Sequence, residues 1–554
     1  MIVYDAVAAA LADLGVDTVF GVVGSGNFHV TNALIARGAR YVAARHEGGA
    51  ACMADAWARS TGRPGVLTVH QGPGLTNALT GITEAAKART PLLVLAADVS
   101  ASAVQSNFKI DVAALATGVG ATPARLHSPS LAIDDAVRAY LTAADERRTV
   151  VMALPLDVQA AECLWPAGGP LQPAARTRPE PQPRDVAALA AALAKAERPV
   201  FIAGRGARVA AAGEALEYLA GACGALLATS AAAKGLFKGS PWDLDVSGGF
   251  ASPLAAELIT GADLIVGWGC GLNQWTTRHG NLIGRGTIVV QVDIDKAAIG
   301  GHRRVNLGVV GDAAQTAAAV TAELGRMPAA SGWADTGYRS QPLRERIARE
   351  IRWRDLPYSD EGDGQRIDPR TLTIALDDLL PAERTVAVDS GNFMGYPSMY
   401  LSVPDQDGFC FTQAFQSVGL GLASAIGAAI ARPDRLTVAA LGDGGALMGI
   451  SELETAVRLG LPLVIVIYDD EAYGAEVHHF GPAGHPLESV TFPPTDIAAI
   501  AAGYGCTPVT VRSAADLDPV RDWLAGPRAA PIVIDAKVTA NRGSWWLEEA
   551  FRTH

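Results

Sequence analysis

The chain has 554 residues, with 45 Lys and Arg against 57 Asp and Glu, a formal charge of −12. Apolar residues make up 49% and charged residues 18%, enough for several sizeable cores, which excludes a disordered or fibrous chain. The acidic balance argues against nucleic acid and anionic membranes as partners, because both need clustered Lys and Arg.

The N-terminal stretch MIVYDAVAAALADLGVDTVFG reads as a short amphipathic helix running into a strand, without the basic region and long apolar core of a signal peptide. No apolar run is long enough, or free enough of Gly and charge, to span a bilayer. Further along, short β-branched runs alternate with Gly-containing turns and Ala- and Leu-rich stretches of helical spacing. The runs include VLTVH (66–70), LLVLAAD (92–98), TVVMALP (149–155), PVFIAG (199–204), LIVGWG (264–269), TIVVQVDID (287–295), LTVAALGD (436–443) and LVIVIYD (463–469). Apolar strands that do not alternate with polar residues are buried on both faces, so the predicted fold is α/β with doubly wound parallel sheets. Two stretches break the pattern: the Pro-rich residues 164–185, and a second stretch at 326–365 whose end is polar and turn-rich. They divide the chain into predicted domains at 1–163, 186–325 and 366–554. Cys52, Cys163, Cys223, Cys270, Cys410 and Cys506 lie far apart with no CxxC pair, which suits a reduced, cytoplasmic setting.

Three segments carry candidate chemistry. In YVAARHEGGA (41–50) a strand leads into Glu47, either a solvated helix-start residue or a functional acid. In TVHQGPGLTNALTG (68–81), Gly72-Pro73-Gly74 makes a tight turn before a helix expected to be capped near Thr76 and Asn77. The most informative segment is 441–474. One strand ends in Gly442-Asp443-Gly444, a helix follows, and a second strand ends in Asp469-Asp470. A βαβ unit brings both strand ends to one sheet edge, where Asp443 and Asp470 can meet around a hard cation such as Mg²⁺ or Ca²⁺. The alternative is that both are ordinary turn residues.

Together RHEGGA, GPGLTNALTGITEAAKARTPLLVLAAD, VVQVDIDKAAIG followed by LGVVGD, and GDG followed by YDDEAYG resemble the thiamine-diphosphate-dependent enzymes of the acetolactate synthase, benzaldehyde lyase and pyruvate decarboxylase superfamily. The resemblance covers nearly the whole chain, with its motifs in the right order. It implies a pyrimidine-binding domain at 1–163, a central domain at 186–325 and a diphosphate-binding domain at 366–554. It also implies thiamine diphosphate and Mg²⁺ as cofactors, with the site shared between two copies in at least a homodimer and, by expectation, a homotetramer. Asp443, Asp470 and the carbonyl of Ala472 fall on the metal-ligand positions. Glu47 falls on the glutamate that hydrogen-bonds the aminopyrimidine ring and assists loss of the thiazolium C2 proton. Gly72, Asn77, Gly391, Asn392, Gly442, Gly444, Gly445, Tyr473 and Gly474 fall in the cofactor-binding loops. Val418 takes the place of a bulkier residue that props the cofactor, and Gln416 a position that is often glycine.

The chain also departs from that pattern. Asp469-Asp470 replaces the usual Asn-Asn, which predicts an added negative charge near the diphosphate. Glu476 falls where pyruvate decarboxylase-like members carry a catalytic glutamate, and His478 and His479 follow as further catalytic candidates. Two adjacent histidines on a helix cannot both face the site. Asn107 stands on the position of an active-site glutamine, and Gly26 on that of a benzaldehyde lyase histidine. Gly204-Arg205-Gly206 is short of a full dinucleotide fingerprint, so FAD is not expected. The function implied is carbon–carbon bond cleavage or formation on a 2-oxo acid or hydroxy ketone, by decarboxylation with or without carboligation, in the manner of an acetolactate synthase. The alternatives are an acyloin lyase, a cyclic-diketone hydrolase, or a non-catalytic regulatory subunit of the same fold.

Overall fold

The computed structural model describes residues 1–165, 178–327 and 338–550. Much of the Pro-rich stretch 164–185 therefore lies outside the described residues. The β-branched runs form strands of three six-stranded sheets in which every named pairing is parallel.

The first sheet holds β1 (Thr18–Gly21), β2 (Arg40–Ala43), β3 (Gly65–Val69), β4 (Leu92–Asp98), β5 (Thr122–Arg125) and β6 (Thr149–Pro155), in the order β2-β1-β3-β4-β6-β5. The second holds β7 (Pro199–Ala203), β8 (Leu226–Thr229), β9 (Asp243–Val246), β10 (Leu264–Trp268), β11 (Ile288–Asp293) and β12 (Leu307–Val310), in the order β12-β11-β10-β7-β8-β9. The third holds β13 (Arg384–Val388), β14 (Phe409–Phe411), β15 (Leu436–Gly442), β16 (Leu463–Asp469), β17 (Thr507–Val511) and β18 (Ile532–Lys537), in the order β14-β13-β15-β16-β18-β17. First and third sheets thus share one topology, and the second has that of a dinucleotide-binding fold. Central strands such as β4 and β16 are buried along their whole length, as non-alternating apolar runs require.

The flanking domains share a core. Helix Glu47–Thr61 of the first packs on helix Gly421–Ala431 of the third. The approach is close enough that a Cβ on Gly427 would lie 2.2 Å from the carbonyl oxygen of Met53. At the β7–β10 switch point, a Cβ on Gly204 would lie 2.4 Å from the carbonyl oxygen of Gly269, so packing of one loop on another accounts for this glycine.

The stretch 326–365 holds more structure than a linker. Helix Gln341–Glu350 lies within it, and Leu343, Ile347 and Ile351 pack on the second domain. Their spacing of four residues puts all three on one helix face, a short period within a polar background.

Candidate active site

The crevice where strand order reverses in the third sheet lies between the ends of β13 and β15. There a cleft of about 510 Å³ is lined by Gly391, Asn392, Val418, Asp443, Asp470 and Glu476, among others. Asp443 follows β15, and the register pairs Gly442 with Tyr468 of β16, so Asp443 and Asp470 leave adjacent strands at the same edge. Burial and the neighbouring Asp470 push the Asp443 carboxyl up to about 8, and burial pushes Asp470 up to about 7. Among the described residues neither has an ion-pair partner, and no group of three or more His, Cys, Asp or Glu side chains is placed to hold a metal ion by side chains alone. The buried Asp443 and the partly buried Asp470, neither in an ion pair, beside glycines that admit a ligand closely, fit a hard divalent cation bridging to a phosphate.

The loop after β16 is held taut. Glu471 adopts a left-handed φ of +57°. Its N–H donates to Asp469 Oδ1 at 3.1 Å, and its carboxylate accepts from Arg366 at 2.7 Å. Tyr473 N donates to the Val490 carbonyl at 2.8 Å. These contacts fix the backbone around Ala472, whose carbonyl is the expected third metal ligand.

The expected cost of Asp469 is met within the fold. Asp469 is 1% exposed, and Lys537, its register partner on β18, donates to its Oδ2. Lys537 also reaches Asp535 Oδ2 and the Thr495 carbonyl, each at 3.1 Å. The extra carboxylate is therefore neutralised by a buried ammonium.

A second loop reaches the cleft at Gln416 and Val418. Gln416 has φ +61°, the conformation that favours glycine. Asp389 at the end of β13 is fully buried and accepts from Gly419 N at 3.0 Å and Leu420 N at 3.2 Å, tying this loop to the sheet. Asn392 Oδ1 accepts from Ser544 N at 2.8 Å, so its carbonyl end serves the C-terminal segment.

The other predicted residues lie in the first domain. Asn77 Nδ2 donates to Glu47 Oε2 at 3.0 Å. Gly72 has φ +67°, and a Cβ there would lie 2.9 Å from the Phe108 carbonyl oxygen, beside the exposed Asn107. At Gly26, a Cβ would lie 1.5 Å from Gln71 Oε1, so the Gln71 side chain occupies the space that a side chain here would enter. None of Glu47, Gly72, Asn77 and Asn107 lines the cleft of the same chain.

Family comparison matches the N-terminal thiamine pyrophosphate (thiamine diphosphate) binding domain to residues 1–117, the central domain to 186–320 and the C-terminal binding domain to 389–536. A probable 2-ketoarginine decarboxylase of Pseudomonas aeruginosa is 33% identical, over 94% of this chain and 91% of its own. The chain belongs to the thiamine pyrophosphate enzyme family. A sulfoacetaldehyde acetyltransferase of Castellaniella defragrans is 28% identical over 83% of this chain and 80% of its own. The large subunit of acetolactate synthase isozyme 2 of Escherichia coli is 28% identical over 84% and 83%.

In this thiamine pyrophosphate enzyme the candidates that follow Asp470 separate clearly. Glu476 lines the cleft, and its carboxylate has no hydrogen bond or ion pair among the described residues. His478 packs against Gly543 with Nε2 buried and unpartnered, and burial lowers its pKa. His479 stacks edge-on to Phe480 at 4.6 Å. Neither histidine lines the cleft. Sequence reading missed Gln274, Trp275 and His279 of the second domain and Trp546 near the C-terminus, which do. The segment GWGCGLNQWTTRHG (267–280) carried a usable signal: tryptophan and histidine between glycines, where a helix would be ordinary.

Proposed function

We propose that this protein is a Mg²⁺-dependent thiamine diphosphate enzyme that decarboxylates a 2-oxo acid, releasing CO₂ and either protonating the remaining acyl-anion equivalent to an aldehyde or joining it to a second carbonyl compound. When bound, thiamine diphosphate supplies a carbon nucleophile and an electron sink. Asp443, Asp470 and the Ala472 carbonyl would hold the metal, and the glycines beside them would admit the diphosphate. Glu47 would hydrogen-bond the pyrimidine end. Because Glu47 lies outside the cleft of its own chain, the reading requires the first domain of a second copy, hence a homodimer at minimum and a homotetramer as the larger assembly. Exposed Val418, Met448 and Phe492 beside the cleft support such a contact.

The observation that carries the reaction type is Glu476, a carboxylate on the cleft wall with nothing to neutralise it. There it is placed to relay a proton from solvent to the reacting carbon once CO₂ has left. Among the described residues the cleft lining includes no Lys or Arg, which favours substrates with neutral or cationic side chains over those with an anionic tail. Such a substrate accords with the name of the Pseudomonas aeruginosa relative. Neutralisation of Asp469 by Lys537 weighs against a non-catalytic subunit.

The test is calorimetric titration of metal-stripped protein with thiamine diphosphate, with and without Mg²⁺, beside Glu47→Ala. This is followed by CO₂ release from 2-oxo acids with neutral, cationic and anionic side chains. Mg²⁺-dependent saturation in wild type alone, then turnover of the first two classes, is the expected result. Absence of binding would overturn the reading.

A further inference from the structure

Resting on the cofactor site proposed above, we infer that Glu452 and Glu84 are a reciprocal pair of positioning residues. Each holds, from one flanking domain, the loop by which the other flanking domain of the same chain reaches the cofactor.

Glu452 belongs to the third domain, at the start of helix Glu452–Arg458, and is 2% exposed. Its Oε1 accepts from Arg45 N at 3.1 Å and His46 N at 3.0 Å, and its Oε2 accepts from Thr455 Oγ1 at 2.7 Å. These two N–H groups immediately precede Glu47 and the helix it opens, where backbone donors have no partner inside the helix. A Cβ on Gly49 would lie 2.4 Å from Glu452 Oε1, so the glycine leaves space for the carboxylate.

Glu84 mirrors this from the first domain, on helix Pro73–Lys87, and is 1% exposed. Its Oε1 accepts from Ala414 N at 3.0 Å and from Arg59 at 2.8 Å, and its Oε2 accepts from Phe415 N at 2.6 Å. Gln416 and Val418 follow directly. Each held loop comes after the second strand of its sheet, β2 or β14, and each glutamate comes from the helical segment after the third strand, β3 or β15. A buried carboxylate is costly unless its oxygens are hydrogen-bonded. Arg59 and Thr455 each serve one oxygen from the glutamate's own domain, and the other donors are successive backbone N–H groups across the domain interface, so burial is fully compensated only when the opposite loop is in place. In a dimer that takes Glu47 from one chain and Val418 from the other, the same interface ties the two sites together.

The test uses the full-length protein. In Glu452→Ala without cofactor, hydrogen exchange at Arg45 and His46 is expected to speed up by about tenfold or more, as the loss of one to two net hydrogen bonds implies. In Glu452→Gln, whose Oε1 still accepts from both groups, protection is retained. Glu84→Ala is expected to expose Ala414 and Phe415 instead. Calorimetry with thiamine diphosphate and Mg²⁺ supplies the second readout. Glu452→Ala is expected to weaken binding about tenfold in wild type and to add nothing in a Glu47→Gln background, because it acts through Glu47. Equal weakening in both backgrounds, or unchanged exchange at Arg45 and His46, overturns the proposal. If wild type binds no thiamine diphosphate, the proposed function fails by itself, and the exchange data still decide whether the two glutamates hold their loops.

Discussion

The first and third sheets have the same strand order, and their fourth strands, β4 and β16, both end in a buried aspartate. Asp98 at the end of β4 is paired with Arg125 at 2.8 Å and Lys109 at 3.9 Å. Asp469 at the end of β16 is paired with Lys537. The domains part company one residue later. Asp470, partly buried, joins the buried Asp443 from the adjacent strand, and among the described residues neither is in an ion pair, whereas Val99 follows Asp98. An aspartate neutralised inside the fold maintains a strand end. One left without counter-charge is held ready for something that arrives from outside, since burial without a partner is otherwise a pure cost.

Substitutions can break this comparison, beginning with the largest effect. Asp470→Ala is expected to abolish Mg²⁺-dependent thiamine diphosphate binding, with affinity falling by more than about a hundredfold. Asp98→Ala, at the matched strand end, should leave cofactor affinity unchanged, and calorimetry on both variants checks the pair. Glu476→Gln should lower kcat by about 10²- to 10⁴-fold, the range for loss of a positioned proton donor, with cofactor affinity intact. Lys537→Met leaves Asp469 and Asp535 buried without their cation and is expected to cost about 3–5 kcal/mol in denaturant unfolding. Adding Asp469→Asn should recover part of that loss, the remainder reporting Asp535. Arg125→Met, whose side chain is 43% exposed, should cost at most about 1 kcal/mol in the same experiment.

How far the site was legible depended on how local each signal is. Gly442-Asp443-Gly444 and Asp469-Asp470 close two consecutive buried strands of one βαβ unit, so chain direction alone brings them to one edge. Glu47 and Asn77 were legible as strand-end and helix-start residues, and their 3.0 Å contact follows from two neighbouring helices of one sheet. His478 and His479 were not. Both follow Glu476 on helix Gly474–Phe480, but only tertiary packing decides that this helix presents Glu476 to the cleft and lays His478 on Gly543. The helix inside 326–365 escaped notice because three apolar residues among charges make a weak periodic signal until a neighbouring surface covers them.

By itself, the sequence determined the α/β class, the strands and the meeting of Asp443 and Asp470 at one sheet edge, because hydrophobic period and turn chemistry act over a few residues. The tertiary structure alone decided what neutralises Asp469, which residues of the second domain reach the cleft, and how Glu452 and Glu84 hold the opposite loops. Lys537 lies 68 residues from Asp469, and Glu452 lies 406 residues from His46. No local pattern records such pairs, because they exist only once strand order and domain packing have set which chain ends lie side by side.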